Sequence, residues 1–272
     1  MECGSSLPLS GAGTLTSENT LITATGCRRC FTPAGSIPLQ DSPKAMMTTL
    51  YYFPHTPQAQ RLRLALGAKQ VPLALRPVDW FDDETFFELG IARQSPVLQT
   101  EDGTLHTDTT AVLAEIDRLF PEKPALRDGI IDAAAWTALL DWRTKVDAVL
   151  ERLYAPLAPG FHGIGDNPEA LADFKAGIRH RFGMSLEELA NDRYDGFAQF
   201  ARLSRLPELA RHLSKERFYV GGQLSVADCM LAADLYPLQM HDGINLPVDM
   251  LYYLRRVEEA CQVQLNQDWL AQ

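Results

Sequence analysis

At 272 residues, with 46% apolar and 22% charged side chains, the chain is long enough for one large domain or two modest ones, each with its own core. Its formal charge of −10 and pI near 5.1 give a phosphate backbone no bulk attraction, so nucleic acid is not an expected partner. No run approaches the roughly 18 to 20 apolar residues that span a bilayer. No basic leader with an apolar core opens the sequence, and the five scattered cysteines make no disulfide framework, so the expected setting is a reducing cytoplasm with no membrane.

Residues 1–46 are rich in Ser, Thr, Gly and Pro, carry Phe31 as their one aromatic residue, and are expected to form a disordered extension. Translation beginning at Met46 or Met47 would leave them out of the native protein. Within them Cys27-Arg28-Arg29-Cys30 is a C-x-x-C whose arginines would lower a thiol pKa. No second cysteine pair completes a four-thiolate zinc site, and Thr32-Pro33-Ala34-Gly35 follows where a redox pair would open a helix. A thiol oxidoreductase built on this pair stands as a minor alternative, and no metal site is expected.

Residues 47–120 alternate strand and helix signals. "TTLYYF" (48–53) reads as a strand that stops at Pro54, and Gln58 to Leu66 as a helix with Leu62, Ala65 and Leu66 on one stripe and a stop near Gly67. His55-Thr56-Pro57 therefore falls at a strand-to-helix turn, where free N–H groups and the positive end of a helix dipole favour an anion. The turn is placed for a nucleophile, yet it holds a histidine and a threonine and neither cysteine nor serine. "VPLALRPV" (71–78) is a second, proline-bounded strand, and the acids of "DDETFFEL" (82–89) suit a first helical turn. Then come a strand at Val97 to Gln99, a turn at Glu101-Asp102-Gly103, a strand at Thr104 to His106, and a helix whose apolar residues are Val112, Leu113, Ile116, Leu119 and Phe120. This order, β-α-β-α-β-β-α, is that of a thioredoxin-like α+β domain.

"PEKPALRDG" (121–129) is a linker, after which residues 130–272 show only three- and four-residue apolar spacing and are expected to form an all-α domain. Near its end, Ser225-Val226-Ala227-Asp228 reads as a capping box with Leu224 as staple, opening a helix that runs to Pro237. Cys229 and Cys261 fall on apolar helix faces and are expected to be small buried hydrophobes.

The two-domain order and several local signatures resemble the glutathione S-transferase superfamily over nearly all of residues 47–272, and within it the two-domain bacterial glutaredoxins in particular. The signatures are Ser95-Pro96-Val97-Leu98, similar to the family's cis-proline before its third strand; Asp108-Thr109, similar to its acidic residue plus hydroxyl at a helix start; the Ser225–Asp228 box; and Gly243-Ile244-Asn245 before the last helix. The resemblance implies that Ser95 and Pro96 pair with the cysteinyl part of glutathione through the main chain. It implies that Asp108 and Thr109 meet the γ-glutamyl end, although a plain N-terminal cap is the simpler reading of Asp108. Arg93 or Gln94 would meet the glycyl carboxylate, unless they lie on a solvated turn. His55 is a weaker candidate, since a loop histidine is commonly a packing residue.

Aligned on the family, Thr56-Pro57-Gln58-Ala59 stands where glutaredoxins carry Cys-Pro-x-Cys. Dithiol exchange at this site is therefore excluded. Thr56 could instead stabilise the thiolate of bound glutathione. Lowering a thiol pKa from about 8.5 to about 6.5 requires about 2.7 kcal/mol. A charge-assisted hydrogen bond supplies roughly 1.5 to 3 kcal/mol and a helix N-terminus roughly 0.3 to 1. The expectation is a glutathione transferase using glutathione as co-substrate and a small hydrophobic electrophile. The alternative is a non-catalytic ligand-binding or protein-interaction module of the same fold. Members of the family are often homodimers, but nothing in the sequence marks an interface.

Overall fold

The computed structural model describes residues 47–270, so the Cys27–Cys30 motif and the predicted disordered extension lie outside the described residues. The first half contains β1 (Thr49–Tyr52), α1 (Pro57–Ala68), β2 (Ala74–Pro77), α2 (Glu84–Glu88), β3 (Val97–Gln99), β4 (Leu105–His106), α3 (Thr109–Ala114) and α4 (Ile116–Leu119). The second is helical: α5 (Ala133–Tyr154), a 3-10 turn (Ala155–Gly160), α6 (Pro168–Phe182), α7 (Leu186–Asn191), α8 (Arg193–Leu203), α9 (Leu206–Lys215), α10 (Val226–Leu235), a second 3-10 turn (Tyr236–Met240) and α11 (Val248–Cys261). This is the expected α+β thioredoxin-like unit followed by an all-α one. Among the described residues no helix is long and apolar enough to cross a membrane.

The sheet order is β2-β1-β3-β4. The α1 crossover makes β2 parallel to β1, whereas β3 is antiparallel to β1 and the hairpin through Gly103 (φ +85°) makes β4 antiparallel to β3. Leu50 and Tyr52 of β1 and Leu98 of β3 share one buried core with Leu62, Leu66, Leu113 and Ile116, and that core continues into α10 and α11. Helix α1 thus has protein on nearly every side. Even Arg61 and Arg63 on it are only 5% and 2% exposed. Their charges are matched: Arg61 meets Asp234 of α10 at 2.5 Å, Asp234 also meets Arg143 of α5 at 3.0 Å, and Arg63 meets Asp268 at 3.1 Å. Buried charge survives only with such partners.

Helix α1 ends at Ala68, one residue past Gly67, as expected. A Cβ at Gly67 would lie 2.3 Å from the Cys261 carbonyl oxygen, so this glycine serves the close approach of α1 to the end of α11. Other boundaries differ from the sequence reading. The helix expected after residue 109 is two short ones, broken at Glu115, and Asp117 of the second is an anchor. It accepts from Lys69 Nζ at 2.6 Å and from the N–H groups of Leu126, Arg127 and Asp128, tying the 121–129 segment to the thioredoxin-like unit. Helix α10 ends at Leu235 and tightens into a 3-10 turn before Pro237 ends the α pattern. Cys229 and Cys261 are fully buried, as expected.

Candidate functional site

Thr56 is the N-cap of α1, with extended backbone (φ −94°, ψ 121°) and Pro57 at the first helical position. Its side chain does not cap the helix. The hydroxyl donates to the Phe53 carbonyl at 2.8 Å and lies 3.4 Å from the Ser95 hydroxyl oxygen. Ala59 N–H returns to the Thr56 carbonyl, Pro57 has no N–H, and Gln58 N–H finds no acceptor among the described residues. The start of α1 therefore keeps one open amide at its positive end.

The Ser95-Pro96 peptide is cis. Ser95 Oγ accepts from Phe53 N–H at 2.8 Å, so a side chain extends the β1–β3 ladder by one step. The Ser95 main-chain N–H and C=O then make no hydrogen bond to other described residues. Asp108 does cap its helix: Oδ1 accepts from the N–H groups of Thr110 at 2.8 Å and Ala111 at 3.1 Å. Those two amides are taken, which leaves the Thr109 hydroxyl without a partner among the described residues. Thr109 itself is 8% exposed.

His55 lies inside an aromatic cluster. Its ring stacks on Phe53 at 6.0 Å and meets Trp80 and Phe174 at 5.7 Å each, and Trp80 and Phe174 meet edge-on at 5.6 Å. Burial, with a smaller push from the charge of Arg93, lowers the His55 pKa to about 4, so the ring is neutral at physiological pH. Arg93 is held over the rings of Phe53 at 5.3 Å and Trp80 at 5.0 Å, with its guanidinium 3.9 Å from Asp83. Gln94 is half-buried on the same loop. Phe174 belongs to α6, as does Asp173, which accepts from Trp80 Nε1 at 2.8 Å. The cluster thus joins the thioredoxin-like unit to the helical one beside Thr56.

Two cavities flank the His55-Thr56-Pro57 turn. One, between Pro54, Gln60, Phe161, Tyr236 and Met240, has room for little more than a water-sized group. The other is a cleft of about 570 Å³, part of it open to solvent, bounded by Thr56, Tyr154, Phe174, Ile178, Arg181 and Phe182. Tyr154 walls both, its hydroxyl donating to the Asp234 carbonyl. The structure brings His55, Thr56, Ser95 and Pro96 together, and carries Arg93 on the same aromatic rings. Sequence reasoning missed Trp80, Glu151, Tyr154, Phe174 and Arg181. Phe174 and Arg181 lie in a long amphipathic tract, where nothing but tertiary packing tells which turn faces the cleft. Among the described residues no cluster of three or more His, Cys, Asp or Glu side chains is placed to hold a metal.

Residues 55–119 match the family model described as glutathione S-transferase, N-terminal domain. Glutaredoxin 2 of Escherichia coli K12 is 26% identical over 221 residues, covering 80% of this chain and 96% of that protein. Among solved structures, glutaredoxin 2 of Salmonella typhimurium in complex with glutathione superposes with a TM-score of 0.66 at 22% identity, over 80% of this chain and 96% of that one. The glutathione transferase GSTFuA2 of Phanerochaete chrysosporium gives 0.63 at 17% identity, over 80% and 100%. The cis-proline ahead of β3, the β2-β1-β3-β4 sheet and the helical second half agree with these likenesses: residues 55–119 carry a glutathione S-transferase N-terminal domain, and the described chain has the glutathione S-transferase fold in a glutaredoxin-2-like architecture.

Proposed function

We propose that the protein binds glutathione along Ser95-Pro96 and the starts of α1 and α3, and presents its thiolate to a small hydrophobic electrophile in the cleft beside α6. Ser95 would pair with the cysteinyl main chain, Asp108 and Thr109 would hold the γ-glutamyl end, and Arg93 with Gln94 would face the glycyl carboxylate. His55 would shape the wall rather than move protons, since a ring that protonates near pH 4 is a weak base at pH 7.

The observation that carries this reading is the pair of open main-chain sites, Gln58 N–H and Ser95, on either side of the Thr56 hydroxyl. An amide at a helix start favours a thiolate by roughly 0.3 to 1 kcal/mol through the dipole, and a hydrogen bond to the charge adds roughly 1.5 to 3. Thr56 must turn its proton away from the Phe53 carbonyl to contribute, which costs about 1 kcal/mol. Sulfur activation is then modest, and most of any acceleration comes from placing the second substrate.

That same committed proton favours a second reading, a glutathione-binding or protein-interaction module without transfer chemistry. Conjugation of 1-chloro-2,4-dinitrobenzene by wild type and Thr56→Val separates the two. The transfer reading expects the variant to lose about tenfold in kcat/KM, the value of one charge-assisted hydrogen bond. Equal rates would remove Thr56 from the mechanism, and no turnover by either would leave the binding module.

A further inference from the structure

We propose that the cleft between Thr56 and α6 selects an aromatic electrophile bearing a carboxylate, with Arg181 as the group that receives the carboxylate. The inference rests on the glutathione-transfer reading and names its second substrate. The walls of the cleft are apolar: Ala155 and Ala158 from the 3-10 turn, and Phe174, Ile178 and Phe182 from α6. Phe174 is fixed edge-on to both His55 and Trp80, so its position is set before any ligand arrives. A flat ring is the shape such walls accept.

Two charged side chains line this cleft, Glu151 of α5 and Arg181 of α6, and the other titratable groups on it, His55 and Tyr154, are neutral, the first lowered and the second raised by burial. Arg181 Nη2 donates to Glu151 Oε2 at 2.6 Å, and the guanidinium lies 5.5 Å from the centre of the Phe182 ring. A guanidinium has five N–H donors in a planar fork, and Glu151 draws on one nitrogen. The remaining donors have no partner among the described residues. The Arg181 side chain is 62% exposed and that of Glu151 32%, so the cation is the outward member of the pair. An incoming carboxylate therefore meets open donors, whereas an incoming cation meets the guanidinium first. Arg181 also offsets the repulsion between a thiolate and an anionic second substrate, which otherwise opposes their approach in a partly dry cleft.

The test uses the full chain, glutathione and two probes, 4-chloro-3,5-dinitrobenzoate and 1-chloro-2,4-dinitrobenzene. In both, the sulfur attacks the chlorine-bearing carbon, a C–S bond forms, chloride leaves with the C–Cl electron pair, and the thiol proton passes to solvent. The quantity read is the ratio of kcat/KM for the carboxylated probe to that for the neutral one, in which intrinsic reactivity cancels between variants. Arg181→Gln should lower this ratio about tenfold, and Glu151→Gln, which frees the guanidinium, should raise it about threefold. A ratio unmoved by both substitutions overturns the proposal while leaving the transfer reading intact. Should neither probe be conjugated, the transfer reading fails, and calorimetry with unreactive 3,5-dinitrobenzoate against 1,3-dinitrobenzene still decides. A preference for the benzoate that disappears in Arg181→Gln supports the anion site, and equal binding in both proteins overturns it.

Discussion

At the start of α10 a buried carboxylate is answered from every side, although Ala227 N–H, like Gln58 N–H of α1, has no acceptor among the described residues. Asp228, fully buried, accepts from Ser225 N–H at 2.9 Å, Ser225 Oγ at 2.8 Å, Tyr219 N–H at 2.7 Å and Tyr253 Oη at 2.9 Å. At the start of α1, half-buried beside the cleft, the Thr56 hydroxyl points elsewhere, the first residue is a proline, and neither Gln58 N–H nor the Ser95 main chain has a partner among the described residues. The two helix starts thus differ in the acid at the third position of α10, which α1 lacks. The first concentrates hydrogen bonds where they hold α10, α11 and the segment at Tyr219 together. The second leaves them unmade where a ligand can complete them.

The largest effect should come from breaking the satisfied end. Asp228→Ala would strand three buried donors, and urea unfolding should show a loss of about 3 kcal/mol as a lower midpoint at unchanged slope. Thr56→Val, at the open end, gives up only the bond to Phe53 and should cost no more than about 1 kcal/mol in the same measurement. Similar losses at the two sites would dissolve the contrast.

Between these lies a pH effect at the open end. An unfolded histidine titrates near 6.5, while burial and then Arg93 place His55 at about 4. Between those values the unfolded chain holds the proton and the folded one does not, so this contribution is complete above pH 6.5 and is lost as pH falls toward 4. From pH 7.5 to pH 5 the residue should cost about 2 kcal/mol. His55→Phe, which keeps a ring in the cluster, should lose about that much less than wild type over the same interval. Parallel losses in the two proteins would show that His55 stays solvated.

How much of this was legible in the sequence follows the range of the interactions. Ser95-Pro96 and the Ser225–Asp228 box are local patterns, and both were read correctly in place. The sequence did not show that Asp228 also accepts from the Ser225 hydroxyl, from Tyr219 N–H and from Tyr253 across the core. Asp108 was legible only as two alternatives, and the structure shows the capping bonds. The helix stop near Gly67 was legible, but the packing reason for that glycine, the Cys261 carbonyl, is 194 positions away in the chain. The cleft was illegible for the same cause. Thr56, Tyr154 and Arg181 share it through the packing of α5 and α6 against the turn, and periodicity shows that a helix has an apolar face without showing what the face meets.

The account stands on the claim that the open helix start and the Ser95 main chain form a glutathione site. Isothermal titration of reduced glutathione into the full chain tests it most directly. The expected result is saturable binding of one glutathione per chain at millimolar concentration or below, weakened by Ser95→Pro, which removes the Ser95 N–H. Absence of saturable heat, or the same affinity in Ser95→Pro, would contradict it.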